Sequence, residues 1–323
     1  MSIICSVQSH LIFNTIRLQQ LYAHQPSLSQ HTPPLVNPPQ LPISYPPQSS
    51  PNLIRFISFL RVAFQVTKEG AVAQTLTQEA IVEDPDYHLP FRQLAPSKKI
   101  ILADPNGPFS PTRLKTREGL FDALIFRLIT QASPFLLEEK QLLFGFPAQF
   151  HEAVKGKDTH HFCNPYATGR QSRSHNIPYI DTYWKHTVDW ETYTDGDVTI
   201  ETLLTWFTGK EGKATRFFGM GNLVGWLLAS DYAYAGLVGL PDASKVGEII
   251  FRINAGAKGG LELLGFDVST KKSCMEAMSS LWLKVQGLLS PEEIHEMGIE
   301  PITLEHALCK FQRLYKKYIS KVF

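Results

Sequence analysis

Hydrophobic periodicity divides the chain into an upstream part without sustained pattern and a downstream part dominated by helical spacing. Thr116 to Gln131 carries apolar residues at Leu120, Leu124, Phe126 and Leu128, which predicts a buried helix ended by Pro134. Val198 to Phe207 reads as a helix capped by Asp197, and Leu223 to Tyr234 as an apolar helix closed by Gly236. Ala243 to Ile253 is a further helix, followed by a Gly-rich hairpin, a short helix from Gly260 to Leu264, and a longer one from Lys272 to Leu289. Ser290-Pro291-Glu292-Glu293 combines an N-cap Ser, Pro at the first helical position and a capping-box Glu, and Gly298 stops that helix. In the last helix, Thr303 reads as the cap and Leu304, Ala307, Leu308, Phe311, Leu314, Tyr315 and Tyr318 as one core-facing side. Ile100 to Ala103 has the look of a short strand, but strands and helices do not alternate, so the expected fold class is mainly α.

Composition sets the domain limits. Between Gln25 and Pro51 nine prolines alternate with Ser, Gln and Asn, a mixture that cannot sustain helix and buries too little to offset chain entropy. Residues 1–95 are therefore expected to be a low-complexity, Pro-rich, largely disordered segment, and 96–323 one helical domain. Within the first part, Leu53 to Val66 can also be read as a short amphipathic helix docking on that domain. Inside the second, Phe146 to Asp197 is rich in His, aromatic residues and turn formers, and reads as a long loop of about 146–197.

Charge and cysteine usage narrow the function classes. The 31 basic and 30 acidic residues leave a net charge of +1, so any nucleic-acid contact has to be a local patch. Cys5, Cys163, Cys274 and Cys309 show no paired spacing, which speaks against a disulfide framework and against a CxxC metal site. The apolar run Leu53 to Val66 is broken by Arg55, Ser58 and Arg61 and falls short of the roughly 20 residues of a membrane span, so no membrane partner is expected. Residence is expected to be nuclear or cytoplasmic.

The candidate chemistry gathers at the hairpin Asn254 to Leu261. Its glycines tolerate positive φ and close backbone approach, and amides at a helix start can hold an anion, with Lys258 as an added charge. A second reading is that Gly256, Gly259 and Gly260 only let two helices cross closely. Asp231 stands on an otherwise apolar helix, either as a catalytic carboxylate or as a salt-bridged structural one. His160, Cys163 and His175 offer zinc-type ligands without a recognised spacing, and no metal is assigned. Arg170 and Arg173, with Tyr179, Tyr183, Trp184 and Trp190, form a basic and aromatic stretch suited either to phosphate contact and base stacking or to folding back over the core. Gly219-Met220-Gly221-Asn222-Leu223-Val224-Gly225 misses the dinucleotide fingerprint by one position and follows no strand.

Taken in order, the segment Phe217 to Gly236, the hairpin, and Glu305 to Phe311 resemble a superfamily of DNA-modifying helical proteins. This superfamily comprises the helical domain of 5-hydroxymethyluracil DNA kinases and the glutamyl- or putrescinyl-thymine pyrophosphorylases, and is similar to helix-hairpin-helix DNA glycosylases. Asp231, the hairpin, and Glu305 with Leu308-Cys309 occupy the family's motif positions, while Asn254 and Ala255 replace its first hairpin Gly and Pro. The resemblance implies a helix-hairpin-helix glycosylase-like fold and DNA as partner. It implies a thymine-type base carrying a hydroxymethyl or phosphorylated 5-substituent, an amine or amino-acid co-substrate, and transferase or pyrophosphorylase chemistry. Asp231, Glu305 and His306 are then the candidate catalytic carboxylates and base, and Lys310 a cationic partner. Asn254, Gly256, Lys258, Gly259, Gly260, Arg313, Arg170 and Arg173 are the candidate DNA- or phosphate-binding residues. No cofactor is assigned. The competing readings are a catalytically inactive nucleic-acid-binding module and a helical protein-interaction domain.

Overall fold

A computed structural model describes residues 50–68, 71–139, 141–163, 174–211 and 214–319. The chain is mainly α. Its helices are α1 (Pro51–Gln65), α2 (Leu76–Glu83), α3 (Pro85–His88), α4 (Pro96–Leu102), α5 (Pro111–Leu114), α6 (Arg117–Ile125), α7 (Pro134–Glu139) and α8 (Pro147–Val154). They continue as α9 (Ile180–Lys185), α10 (Trp190–Thr194), α11 (Ile200–Thr208), α12 (Asn222–Tyr234), α13 (Ala243–Ile253), α14 (Gly256–Leu263), α15 (Lys271–Leu288), α16 (Pro291–Met297) and α17 (Pro301–Leu314). A two-residue antiparallel ladder pairs Lys210 with Thr215 and Glu211 with Ala214. The strand-like Ile100 to Ala103 is instead the end of α4 and its cap, because Pro96 at the first position starts a helix that runs on through it.

The described residues from Ser50 to Ala95 pack as part of the folded unit, and this corrects the boundary at 96 expected from composition. Ser50 caps α1, Pro51 occupies its first turn, and the helix buries Leu53, Phe56, Ile57, Phe59, Leu60 and Ala63. Phe56 and Phe59 meet Phe311 of α17 at ring-centroid distances of 5.3 and 5.7 Å. The Asn52 amide donates to the Leu263 carbonyl at 2.8 Å, and Arg61 bridges to Glu293 at 2.6 Å. Leu53 to Val66 is thus a docked amphipathic helix, the alternative its pattern allowed. The Pro-rich residues 1–49 lie outside the described residues.

The segment 146–197 is less of a loop than its composition implied. It folds into α8, α9, α10 and two 3-10 turns, Thr159–Phe162 and Ser174–Tyr179. Phe162, Ile180, Tyr183 and Trp190 are fully buried, so much of its aromatic content belongs to the core. Arg170 and Arg173 lie outside the described residues.

Three helix starts differ from the sequence reading, two of them because a better cap lies nearby. Thr199, not Asp197, caps α11, through a capping box with Thr202. Glu300 caps α17 by accepting from the amides of Ile302 and Thr303, so Thr303 sits inside the first turn. The helix after the hairpin starts at Gly256 rather than Gly260, which puts all three hairpin glycines within α14. The Ser290 capping box and the left-handed Gly298 are as expected. In the C-terminal half α13 packs on α15, and α14 on α17. α12 packs on α11 and joins this half to the segment around α6.

Candidate functional site

Asp231 is the centre of a buried polar cluster assembled from four segments. It projects from α12, whose buried positions are otherwise uncharged, and is 1% exposed. Arg127 meets it from the π-helical turn Phe126–Thr130 that continues α6, donating from Nε to Oδ2 and from Nη2 to Oδ1, both at 2.6 Å. Lys98 of α4 donates from Nζ to Oδ1 at 2.8 Å and lies 3.7 Å from the centre of the Phe109 ring. Arg92, on the short turn Arg92–Leu94, bonds the Leu227 carbonyl at 2.9 Å and approaches Asp231 Oδ1 at 3.4 Å.

The local backbone around Arg127 is unusual. The π turn re-aims the ladder of α6, and Ala132 just beyond it has φ of +53°, a conformation that costs a non-glycine residue. The Nη1 of Arg127 closes this segment by donating to Gln131 Oε1 at 2.9 Å.

Electrostatics fixes the charge state of the carboxylate. Burial by itself would raise the Asp231 pKa, but the charges of Arg127, Lys98 and Arg92 overcome it and hold the group below its ordinary value. Asp231 therefore stays ionised and is a poor proton acceptor near neutral pH. Burial pushes Lys98 down to about 7, with Asp231 opposing that shift and the two guanidinium groups adding to it.

Glu305 of α17 lies beside this cluster. Its Oε2 accepts from Trp226 Nε1 at 3.1 Å, and Trp226 is on the same helix as Asp231. Burial raises the Glu305 pKa against the pull of Trp226, Arg92 and Lys310. His306 is buried next to it, and burial together with Lys310 and Arg92 keeps its imidazole well below the usual range, hence neutral. The charge of Arg92 thus acts on Asp231, Glu305 and His306 together.

The other candidates serve different contacts. Lys310 donates to the carbonyls of Asp86 and Tyr87 at 3.1 and 2.6 Å, and Arg313 bonds the Tyr87 carbonyl at 2.7 Å while lying over its ring. These two cations tie α17 to α3. Lys258 turns back to Asn254 Oδ1 at 3.1 Å. Asn254 ends α13 in the left-handed conformation, φ 50° and ψ 49°, taking the place a glycine usually fills.

The hairpin glycines face α17. A Cβ at Gly260 would sit 2.6 Å from the Leu308 carbonyl oxygen, one at Gly256 2.5 Å from Cys309 Sγ, and one at Gly259 would overlap the Gln312 amide. Close helix crossing is what these glycines provide. They bring α14 against the helix that carries Glu305 and His306.

Arg92, Lys98 and Arg127 are the members of the cluster absent from the candidate residues that the sequence yields. Arg92 fell in the stretch read as low-complexity, and Lys98 belongs to a Lys-Lys pair that resembles solvated surface. A usable signal was present in Arg127. An Arg within the largely apolar run Leu120 to Ile129 has to find a carboxylate if buried; Asp122 of that run is paired with Arg113, and Asp231 is the complementary group. Among the described residues, His160, Cys163 and His175 do not form a group of three or more metal-type ligands. Comparison of the chain with protein-family models, with curated proteins and with solved structures gives no match.

Proposed function

We propose that this chain is a DNA-base-modifying enzyme acting on a thymine-type base whose 5-methylene carries a hydroxyl or a phosphorylated oxygen. The observation that carries the reading is the grouping of Arg92, Lys98 and Arg127 around the single carboxylate of Asp231, with Glu305 adjacent. Displacing a phosphorylated oxygen from the methylene builds negative charge on the leaving group, and preorganised cations in a dry site stabilise that charge. In this reading Arg92 and Lys98, both bonded to Asp231, are the cations assigned to that anion. Asp231 orients the cations, and Glu305 is the group that takes a proton from an incoming amine. The sequence order of Asp231, the hairpin and Glu305 adds the family resemblance to this argument. DNA is the partner, and the base reaches the cluster by leaving the stack.

The test incubates the full chain with duplexes containing 5-hydroxymethyluracil or its phosphorylated form, with amine donors present, and analyses the nucleosides by mass spectrometry. A new base that disappears in Glu305→Gln is the expected result. If neither duplex is bound or altered, the enzymatic reading is lost. Salt-dependent DNA binding that survives Asp231→Asn and Glu305→Gln without any base product assigns a nucleic-acid-binding module instead. In that case the near-complete burial of the cluster marks it as a structural ion-pair network.

A further inference from the structure

A cavity of about 540 Å³ opens away from the Asp231 cluster, between the end of α5, the connection from α10 to α11, and the chain after α12. Its volume lies within the roughly 300–1,000 Å³ of small-molecule sites. The floor is built by Leu203, Tyr232 and Val238, which are 0%, 1% and 8% exposed. The rim carries Asp195 and Asp197 from one connection and Lys115 from another.

The polar groups of the lining divide into two sets. Hydroxyls are already engaged: Tyr232 donates to the Leu114 carbonyl at 3.2 Å, Thr194 to the Glu191 carbonyl at 3.1 Å, and Thr199 takes part in the α11 capping box. The side-chain charges of Asp195, Asp197 and Lys115 form no ion pair with any described residue. A cavity with an apolar floor, two uncommitted carboxylates and one uncommitted ammonium has the complement of a ligand with a methylene stem and opposite charges at its ends.

We infer that this cavity binds a small aliphatic amino acid, with its ammonium between Asp195 and Asp197, its carboxylate at Lys115 and its stem on Leu203, Tyr232 and Val238. The inference rests on the lining alone. None of Arg92, Lys98, Arg127, Asp231 or Glu305 contributes to it, so it stands or falls apart from the base-modification reading.

Isothermal titration of the full chain at low salt tests it with 4-aminobutanoate, 5-aminopentanoate and 6-aminohexanoate, against n-pentylammonium and pentanoate as half-ligands. One of the amino acids is expected to bind about tenfold or more tightly than either half-ligand. The paired substitution Asp195→Asn, Asp197→Asn should weaken that amino acid by about tenfold, and Lys115→Met should reduce it to the level of n-pentylammonium. The three side chains are at the surface, and matching thermal transitions confirm that the variants remain folded. No binding of any probe overturns the proposal, and so does binding that is indifferent to the Asp195 and Asp197 substitutions.

Discussion

Arg127 grips Asp231 through both carboxylate oxygens at 2.6 Å, across 104 residues of sequence and in a setting where each side chain is at most 2% exposed. The pair joins the π turn after α6 to the middle of α12. It therefore couples the N-terminal helices to the half of the fold that contains the hairpin. A fork-to-fork geometry of this kind is specific to Arg, since a Lys cannot donate to both oxygens from one planar group.

Asp231→Asn should be strongly destabilising. It removes the carboxylate that bonds both Arg127 and Lys98 while leaving those groups buried. Breaking a buried pair in this way costs about 3–5 kcal/mol. Urea unfolding followed by far-ultraviolet circular dichroism measures the loss. A change below about 1 kcal/mol, the range of exposed pairs, would mean that the cluster is far better hydrated than its burial indicates.

The cluster should also leave a signature in the pH dependence of stability. With its pKa pushed down to about 7 from 10.5, Lys98 binds fewer protons in the folded chain than in the unfolded chain between those values. Stability attributable to this group therefore rises with pH from about 7 to 10.5, while below 7 its cost is full and constant. Parallel urea titrations of the wild type and Lys98→Met should show the wild type gaining on the variant across that window. A difference that stays flat with pH contradicts the assignment.

Much of the C-terminal half was legible because its signals are local. Ser290, Pro291 and Glu293 specify their helix within four residues, and the Ala243 to Ile253 helix follows its periodicity from end to end. The cluster was legible only in part. Asp231 stands out as a lone charge in an apolar helix, yet Arg92 and Lys98 acquire their meaning from contacts 139 and 133 residues away, which no local pattern records. The helices after residue 146 were hidden for a related reason, although folding of the aromatic stretch back over the core was among its readings. Short helices stabilised by burying Tyr183 and Trp190 have too few turns to show a period. Glu300 was missed as a cap because Thr303, three residues later, is the commoner capping type.

The hairpin glycines should separate cleanly by substitution. At Gly260 a methyl group meets the Leu308 backbone carbonyl, which cannot move without shifting α17, so Gly260→Ala should cost about 1–3 kcal/mol. At Gly259 the obstacle is the end of the flexible Gln312 side chain. There the gain in helix propensity, roughly 1 kcal/mol for Gly to Ala, offsets the displacement and leaves a net change near zero. Urea midpoints for the two variants decide it, and equal costs would mean that crossing distance is not what these glycines serve.

Truncation tests where the folded unit begins. A chain starting at Ser50 keeps the α1 cap, the Phe56 and Phe59 contacts to Phe311, and the Arg61 bridge to Glu293, and should retain the thermal transition of the full protein. A chain starting at Pro96 loses α1 and, with it, Arg92 from the Asp231 cluster. Fully burying a large apolar side chain is worth about 1.5–3 kcal/mol, so removing Leu53, Phe56, Ile57, Phe59 and Leu60 together exceeds much of the roughly 5–15 kcal/mol that holds a domain folded. The shorter chain is expected to show no cooperative transition. Phe56→Ala provides the graded version, with an expected loss of about 3–5 kcal/mol because the side chain is fully buried against α17. If the chain from Pro96 melts at the temperature of the full protein, or Phe56→Ala is silent, α1 is an attachment to the core rather than part of it.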